Sequence, residues 1–220
     1  MELTDHRASP AISAFFLVVV VLIAWVAAWE LKLSLDIQYP TLTTDTGSFT
    51  YWLAAKLLIW VVPAVWFVKH LGLRFVDLFG FARIKRALLW GGGFGVAIVL
   101  INIVSKALFF HKPIIAERAL LQMINAVIVA PAVEEIFFRG AVLKGLLTAF
   151  SFKSSNILTA MLFLLIHIPG WYFQGDLAGH FMSTQAAAIL LLGLLFGYIA
   201  YRSDSLVGAM IAHSLNNLTS

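Results

Sequence analysis

The sequence predicts an all-α fold, a polytopic integral membrane helix bundle of about seven spanning or partly spanning helices, and three observations carry that reading. Hydrophobic residues make up 61% of the 220-residue chain and charged residues only 12%, where an ordinary soluble domain is roughly half apolar and a quarter charged. Mean hydropathy is +0.94. Apolar runs recur from end to end at lengths near the ~20 residues that cross a bilayer as a helix. No long-period repeat, low-complexity tract or linker interrupts them, so residues 1–220 read as a single integral membrane domain whose motif-bearing core lies at about 116–218.

The first run, 12–33, is too long for the apolar core of a cleaved signal peptide and no small-residue cleavage site closes it, so it reads as a retained anchor. Residues 34–48, with Pro40 and Gly47, read as a loop. A second run at 50–68 carries Pro63, which a membrane helix tolerates as a kink when neighbours satisfy the freed carbonyl. Residues 69–86 mix Leu and Phe with Lys69, Arg74, Arg83, Lys85 and Arg86, and suit either an interfacial helix or a charged loop. The third run, 87–110, opens with Gly91, Gly92, Gly93 and Gly95, small residues that let helices approach closely; it lacks the lysine and spacing of a phosphate loop. The fourth extends from near Glu117 to Thr148. The fifth (155–168), sixth (184–201) and seventh (205–218) follow, the fifth and seventh short enough to be shallow or tilted.

The formal net charge of +4 and pI near 9.5 do not imply nucleic acid, because the cations sit mainly between apolar runs and act as topology signals. Arg7, the cations of 69–86, Lys144, Lys153 and Arg202 fall on one side of alternating spans, while loops 34–49 and 169–183 contain none. The positive-inside rule then places the N-terminus in the cytoplasm and, after seven crossings, the C-terminus outside; Lys112 and Arg118 run against this assignment. The absence of cysteine excludes a disulfide framework, a thiolate zinc site and a cysteine nucleophile.

Within this apolar chain, Glu134, Glu135 and Arg139, then His167, then His213 and Asn217, occupy three separate runs. Ionisable groups are costly in lipid, so their default reading is a shared internal site. Measured from the cytoplasmic ends of their runs at 1.5 Å per residue, Glu134 lies roughly 21 Å deep, His167 roughly 18 Å, His213 roughly 14 Å and Asn217 roughly 20 Å, levels that allow one mid-bilayer cavity. Glu135 and Arg139, four apart with the acid first, are placed to pair on one helix face. That leaves Glu134, about 100° round the helix, to point elsewhere. Pro131 should loosen the turn before it. His213 and Asn217 share a face, as do Phe163 and His167. These are the parts of a hydrolytic site: Glu134 as acceptor of a proton from water, His167 to hold that water or return the proton to a leaving amine, and His213 with Asn217 as hydrogen-bond donors to an oxyanion. His6, His70, His111 and His180 read as ordinary surface residues, Asn102, Gln122 and Asn125 as interhelical glue, and most of the Trp and Tyr residues as interfacial anchors.

The segments E134-E-I-F-F-R139, F163-L-L-I-H167 and H213-S-L-N-N217 resemble, in order, three motifs of the CPBP family, the CAAX protease and bacteriocin-processing proteins related to the Rce1-type prenyl protease. The stretch G197-Y-I-A-Y-R-S-D-S-L206 is similar to that family as well, and the resemblance covers about 116–218. It implies metal-independent, glutamate-dependent intramembrane proteolysis. Glu134 and His167 would activate water, His213 and Asn217 would stabilise the oxyanion, and Glu135 with Arg139 would position the catalytic helix. The implied substrate is a membrane-associated protein or peptide, prenylated or not, and the implied location is the bacterial cytoplasmic membrane. Family members also process other peptides or confer immunity to bacteriocins.

Three other functions fit the same residues. A zinc-dependent membrane protease would use Glu134, His167 and His213 as ligands, although the HExxH motif is absent. A non-catalytic membrane partner or immunity protein would need only the fold. A proton-coupled transporter would use the buried acid and imidazoles as a relay.

Overall fold

The computed structural model describes residues 9–110, 113–115 and 117–220, with only the backbone of Phe110; His6, Arg7, His111 and Lys112 lie outside the described residues. Every regular element among them is helical. In chain order these are α1 (Pro10–Gln38), α2 (Asp45–His70), α3 (Ile84–Ser105), α4 (120–146), α5 (Phe152–Leu165), α6 (Ile168–Phe173), α7 (Leu177–Met182), α8 (Gln185–Ser203) and α9 (Leu206–Thr219). Five stretches are long and apolar enough to cross a membrane: Pro10–Gln38, Asp45–His70, Phe75–Phe109, Phe152–Phe173 and Gln185–Ser203. At 14 residues α9 is shorter than a span, and α4 carries the two glutamates and Arg139. Wide apolar faces are exposed on the long helices, including Phe16, Val20 and Ile23 on α1 and Leu100, Ile101 and Val104 on α3. In water such faces would be a liability; facing acyl chains they cost nothing. The protein is integral to a membrane.

Local chemistry sets where the helices bend. Pro63 and Pro131 each follow a π-helical turn, Leu57–Val61 and Asn125–Val129. The amides of Val62 and Ala130 reach back five residues, to Leu57 and Asn125. A proline ring collides with the carbonyl four residues earlier, and a widened turn removes that collision without ending the helix. Pro169 acts more strongly: the helix from Phe152 breaks at Ile166 and His167, with the His167 amide bonded to Leu164 three residues back, and resumes at Ile168.

The glycine-rich start of α3 packs on α9. A Cβ at Gly91 would collide with the Gly208 carbonyl, and one at Gly95 would press on Leu215 at 2.5 Å and Ala212 at 3.3 Å, whereas Gly92 and Gly93 face open space. Two glycines four apart therefore bring α9 close along one face. On the other side, Gly145 of α4 receives Ala14 of α1 and the Phe67 ring of α2. The largest buried cluster joins α1, α2 and α4 through Val18, Trp25, Phe67, Phe137 and Phe138. α4 thus runs through the middle of the bundle, its segment Glu135–Gly140 almost wholly buried.

Several segments differ from the sequence reading. Residues 34–38 continue α1, and Pro40–Thr43 adds a 3₁₀ turn, so the loop expected at 34–48 shortens to a few residues. The interfacial helix considered for 69–86 is replaced by two 3₁₀ turns, Phe75–Phe79 and Phe81–Arg83, because left-handed Gly80 (φ 57°) interrupts the helical path and the backbone there abuts Asp204. The expected loop 169–183 holds α6 and α7.

Candidate active site

Glu134 and Glu135 leave α4 in different directions. Glu135 is fully buried, and its Oε1 accepts from Arg139 Nη1 at 3.0 Å and from His213 Nδ1 at 2.9 Å. Arg139, equally buried, also donates from Nη2 to the Gly193 carbonyl at 2.7 Å, and its guanidinium lies over the Phe163 ring at 4.8 Å and the Phe196 ring at 5.6 Å. The pair therefore fastens α4 to α5, α8 and α9. Burying an ion pair is costly unless further contacts offset the lost hydration. Here His213 and the Gly193 carbonyl add hydrogen bonds and the Phe163 and Phe196 rings add cation–π contacts, while Glu135 Oε2 and Arg139 Nε have no hydrogen-bond partner among the described residues. A further π-helical stretch of α4, Ile136–Val142, contains Arg139.

Glu134 makes no hydrogen bond among the described residues. Its side chain is 15% exposed, and Oε2 lies 3.7 Å from His213 Nε2. His213 is thus held between the two carboxylates, with its ring stacked on Phe196 at 4.5 Å. His167 is fixed by a contact of 2.7 Å from Nδ1 to the Phe163 carbonyl, and the Phe163 ring packs edge-on at 4.8 Å. A carbonyl only accepts, so Nδ1 carries the proton and Nε2 presents a lone pair. Asn217 donates from Nδ2 to the Ala126 carbonyl at 2.9 Å and accepts from Asn216 Nδ2 at 3.0 Å. One amide hydrogen of Asn217 remains for another acceptor.

These side chains surround two chambers. The first, about 360 Å³, is lined by Glu134, His167, His213 and Asn217 together with Phe163 and Asn216. The second, about 290 Å³, is walled by Trp25, Trp29, Trp60 and Trp171, and its polar lining includes Lys56, His180 and Gln174. Glu134, His167 and Gln185 line both. The structure therefore brings together all four residues singled out for chemistry, with Glu135, Arg139 and Phe163 behind them. Among the described residues no three His, Asp or Glu side chains are grouped to hold a metal ion.

Two readings change. His180, taken from the sequence as a surface residue, stacks on Trp171 at 4.7 Å and lines the tryptophan-walled chamber, because α6 and α7 fold back over it. Trp25, Trp29 and Trp60 line a chamber and are not interfacial anchors. Lys56 is an addition: its ammonium donates to Asn125 Oδ1 at 2.8 Å and faces the chamber containing Glu134. Its signal was present, since it is an ionisable residue inside the apolar run 50–68, and the rule that selects Glu134 selects it too. Asn125 and Asn102 do join helices, Asn102 donating to Thr219 at 3.0 Å, and Gln122 bonds Asp45 at 2.9 Å.

A lipid-facing helical bundle enclosing carboxylates, imidazoles and a carboxamide around internal chambers is a polytopic membrane protein with a buried polar site. Residues 116–219 match the Rce1-like family, described as type II CAAX prenyl endopeptidase Rce1-like, and form an Rce1-like domain. The match spans a little under half of the chain and, on a membrane-embedded bundle, supports a protease acting on membrane-associated substrates. α4 to α9 and every residue of the three motifs lie within it, whereas Lys56 and the tryptophans of α1 and α2 lie outside it. No curated protein matches the chain.

Proposed function

We propose that the protein is an intramembrane endopeptidase that hydrolyses a peptide bond with water activated by Glu134 and His167. The observation that carries this reading is the division of labour between adjacent glutamates: Glu135 is engaged through Oε1 by Arg139 and His213, while Glu134 has no hydrogen bond among the described residues and stands at the wall common to both chambers.

His167 Nε2, an acceptor, holds the water by one hydrogen, and Glu134 takes the other as the water oxygen bonds to the scissile carbonyl carbon. The resulting oxyanion is met by the free amide hydrogen of Asn217 and by His213 Nε2. Because His213 Nδ1 already donates to Glu135, donation from Nε2 requires the doubly protonated ring, placed between two carboxylates. The C–N bond then breaks, and the proton held by Glu134 passes to the leaving amine. No covalent acyl-enzyme forms and no metal takes part. The catalytic side chains, the tryptophan wall and the helices that carry them work as one membrane domain, with the N-terminus in the cytoplasm.

The test compares new peptide termini in membranes from cells carrying the wild-type protein or Glu134→Ala, followed by cleavage of the candidate peptides by purified protein in liposomes with and without chelator. Termini dependent on Glu134 and cleavage that survives chelator are expected. Identical termini in both cell lines would leave a partner or immunity role, and abolition by chelator would favour zinc.

A further inference from the structure

At the end of the bundle formed by the start of α3, the end of α4 and the α8–α9 turn, two adjoining cavities of about 200 and 420 Å³ share Lys144, Leu147, Tyr201 and Asp204. Arg74, Arg83, Arg86, Lys144 and Arg202 line them, against two acids, Asp77 and Asp204; Arg139, which also borders the smaller one, is committed to Glu135. The pairing inside the cluster is incomplete. Arg83 binds Asp204 through Nη2 at 3.0 Å and through Nε to its carbonyl at 3.2 Å. Lys144 stands 4.0 Å from the same carboxylate, and Arg74 stands 3.8 Å from Asp77. Arg202 is held over the Trp90 ring at 5.0 Å, and Arg86 has no ion-pair or hydrogen-bond partner among the described residues. Five cations against two acids leave an excess of three positive charges around a concave site.

The surroundings are apolar. Phe81, Leu88, Leu89 and Tyr201 are all exposed beside the cluster, on a molecule whose other exposed apolar faces meet lipid. A ligand that satisfies both halves carries a negative headgroup and hydrocarbon chains. We propose that these cavities bind the phosphate of an anionic phospholipid, with Arg86, Lys144 and Arg202 as its donors. Basic pockets between membrane helices suit such headgroups, because the attraction acts where bulk water screens poorly. The arrangement joins segments that are far apart in sequence: Lys144 lies in the last turn of the helix carrying Glu134, and Asp204 precedes the helix carrying His213.

The probes are phosphatidylglycerol, phosphatidylcholine and inorganic phosphate, added to the purified, delipidated full-length protein in detergent. Lipid retention is read by native mass spectrometry and stability by thermal unfolding. Phosphatidylglycerol should be retained in preference to phosphatidylcholine and should raise the unfolding temperature. Removing a cation near the headgroup should weaken retention roughly fivefold, so Arg86→Gln with Lys144→Gln should lose about 25-fold and the selectivity with it. Arg86→Gln alone, at an exposed and unpaired side chain, keeps the test readable should the double variant not accumulate, and Arg86→Lys should retain selectivity. Equal retention of the two lipids by wild type, or undiminished selectivity in Arg86→Gln, would overturn the proposal. A full thermal shift from inorganic phosphate alone would overturn the lipid assignment in favour of a soluble anion.

Discussion

Glu135 Oε1 accepts the Nδ1 proton of His213 at 2.9 Å, across 78 residues of sequence, while the neighbouring Glu134 stands 3.7 Å from the other nitrogen of the same ring. One imidazole thus touches two carboxylates with different surroundings, one buried and bonded through Oε1 to Arg139 and His213, the other open to a chamber. The two glutamates should therefore fail differently when replaced.

Glu134→Gln should abolish turnover, with rate lost by at least the 10²–10⁴-fold that a positioned general base contributes, while unfolding temperature and membrane accumulation stay near wild type. Glu135→Gln should also lose activity, but by weakening the tether of Arg139 and His213. Breaking a buried pair costs about 3–5 kcal/mol, so the thermal transition should fall markedly. Equal thermal stability of the two variants would show that Glu135 does not anchor the core.

Much of this arrangement was legible because lipid makes each polar residue conspicuous. The order and approximate bounds of α1 to α5, α8 and α9, the Glu135–Arg139 pair, the separate direction of Glu134 and the loosened turn before Pro131 all follow from spacing and apolarity. Hidden were features made by long-range packing. The tryptophan wall is assembled from α1, α2 and α6, and the stacking of His180 on Trp171 depends on α7 folding back. The commitment of His213 Nδ1 to Glu135 is likewise invisible in a motif, which gives spacing along one helix but not the nitrogen that a distant acid will claim.

The asparagines at the end of α9 should separate by role. Removing a donor to an oxyanion costs about 10²–10³ in kcat, the loss expected for Asn217→Ala. Asn216 borders the same chamber, but its amide is committed to orienting that of Asn217, donating to its Oδ1 at 3.0 Å. Asn216→Ala should therefore lower kcat less, with KM little changed. Steady-state kinetics of both variants on one peptide decide the order, and a greater kcat loss in Asn216→Ala would refute it.

The glycine face of α3 makes a prediction about stability alone. Gly91→Val should force α3 from α9, since even a single Cβ there would collide with the Gly208 carbonyl. Overpacking costs about 1–3 kcal/mol, and the displaced α9 would carry His213 and Asn217 with it. Gly92→Val, pointing into open space, should leave thermal unfolding within about 0.5 kcal/mol of wild type. A pair of unfolding curves checks the contrast, and similar curves would mean that the two helices are not in close contact.

Pro169 is the residue through which backbone chemistry reaches the proposed water site. Lacking an N–H, it cannot continue the helix that begins at Phe152, and the break falls at Ile166 and His167, where the His167 ring is held against the Phe163 carbonyl at 2.7 Å. Pro169→Ala restores the missing donor and lets the helix run straight, which would rotate the ring away from the wall it shares with Glu134. A displacement of about 1 Å can cost roughly 10²-fold in rate, so kcat should fall steeply while the thermal transition holds or rises, because a helical hydrogen bond is gained. Circular dichroism and turnover on the same preparation separate the two effects. Activity retained at the wild-type level, with the helix extended, would mean that the bend at His167 does not position the ring for catalysis.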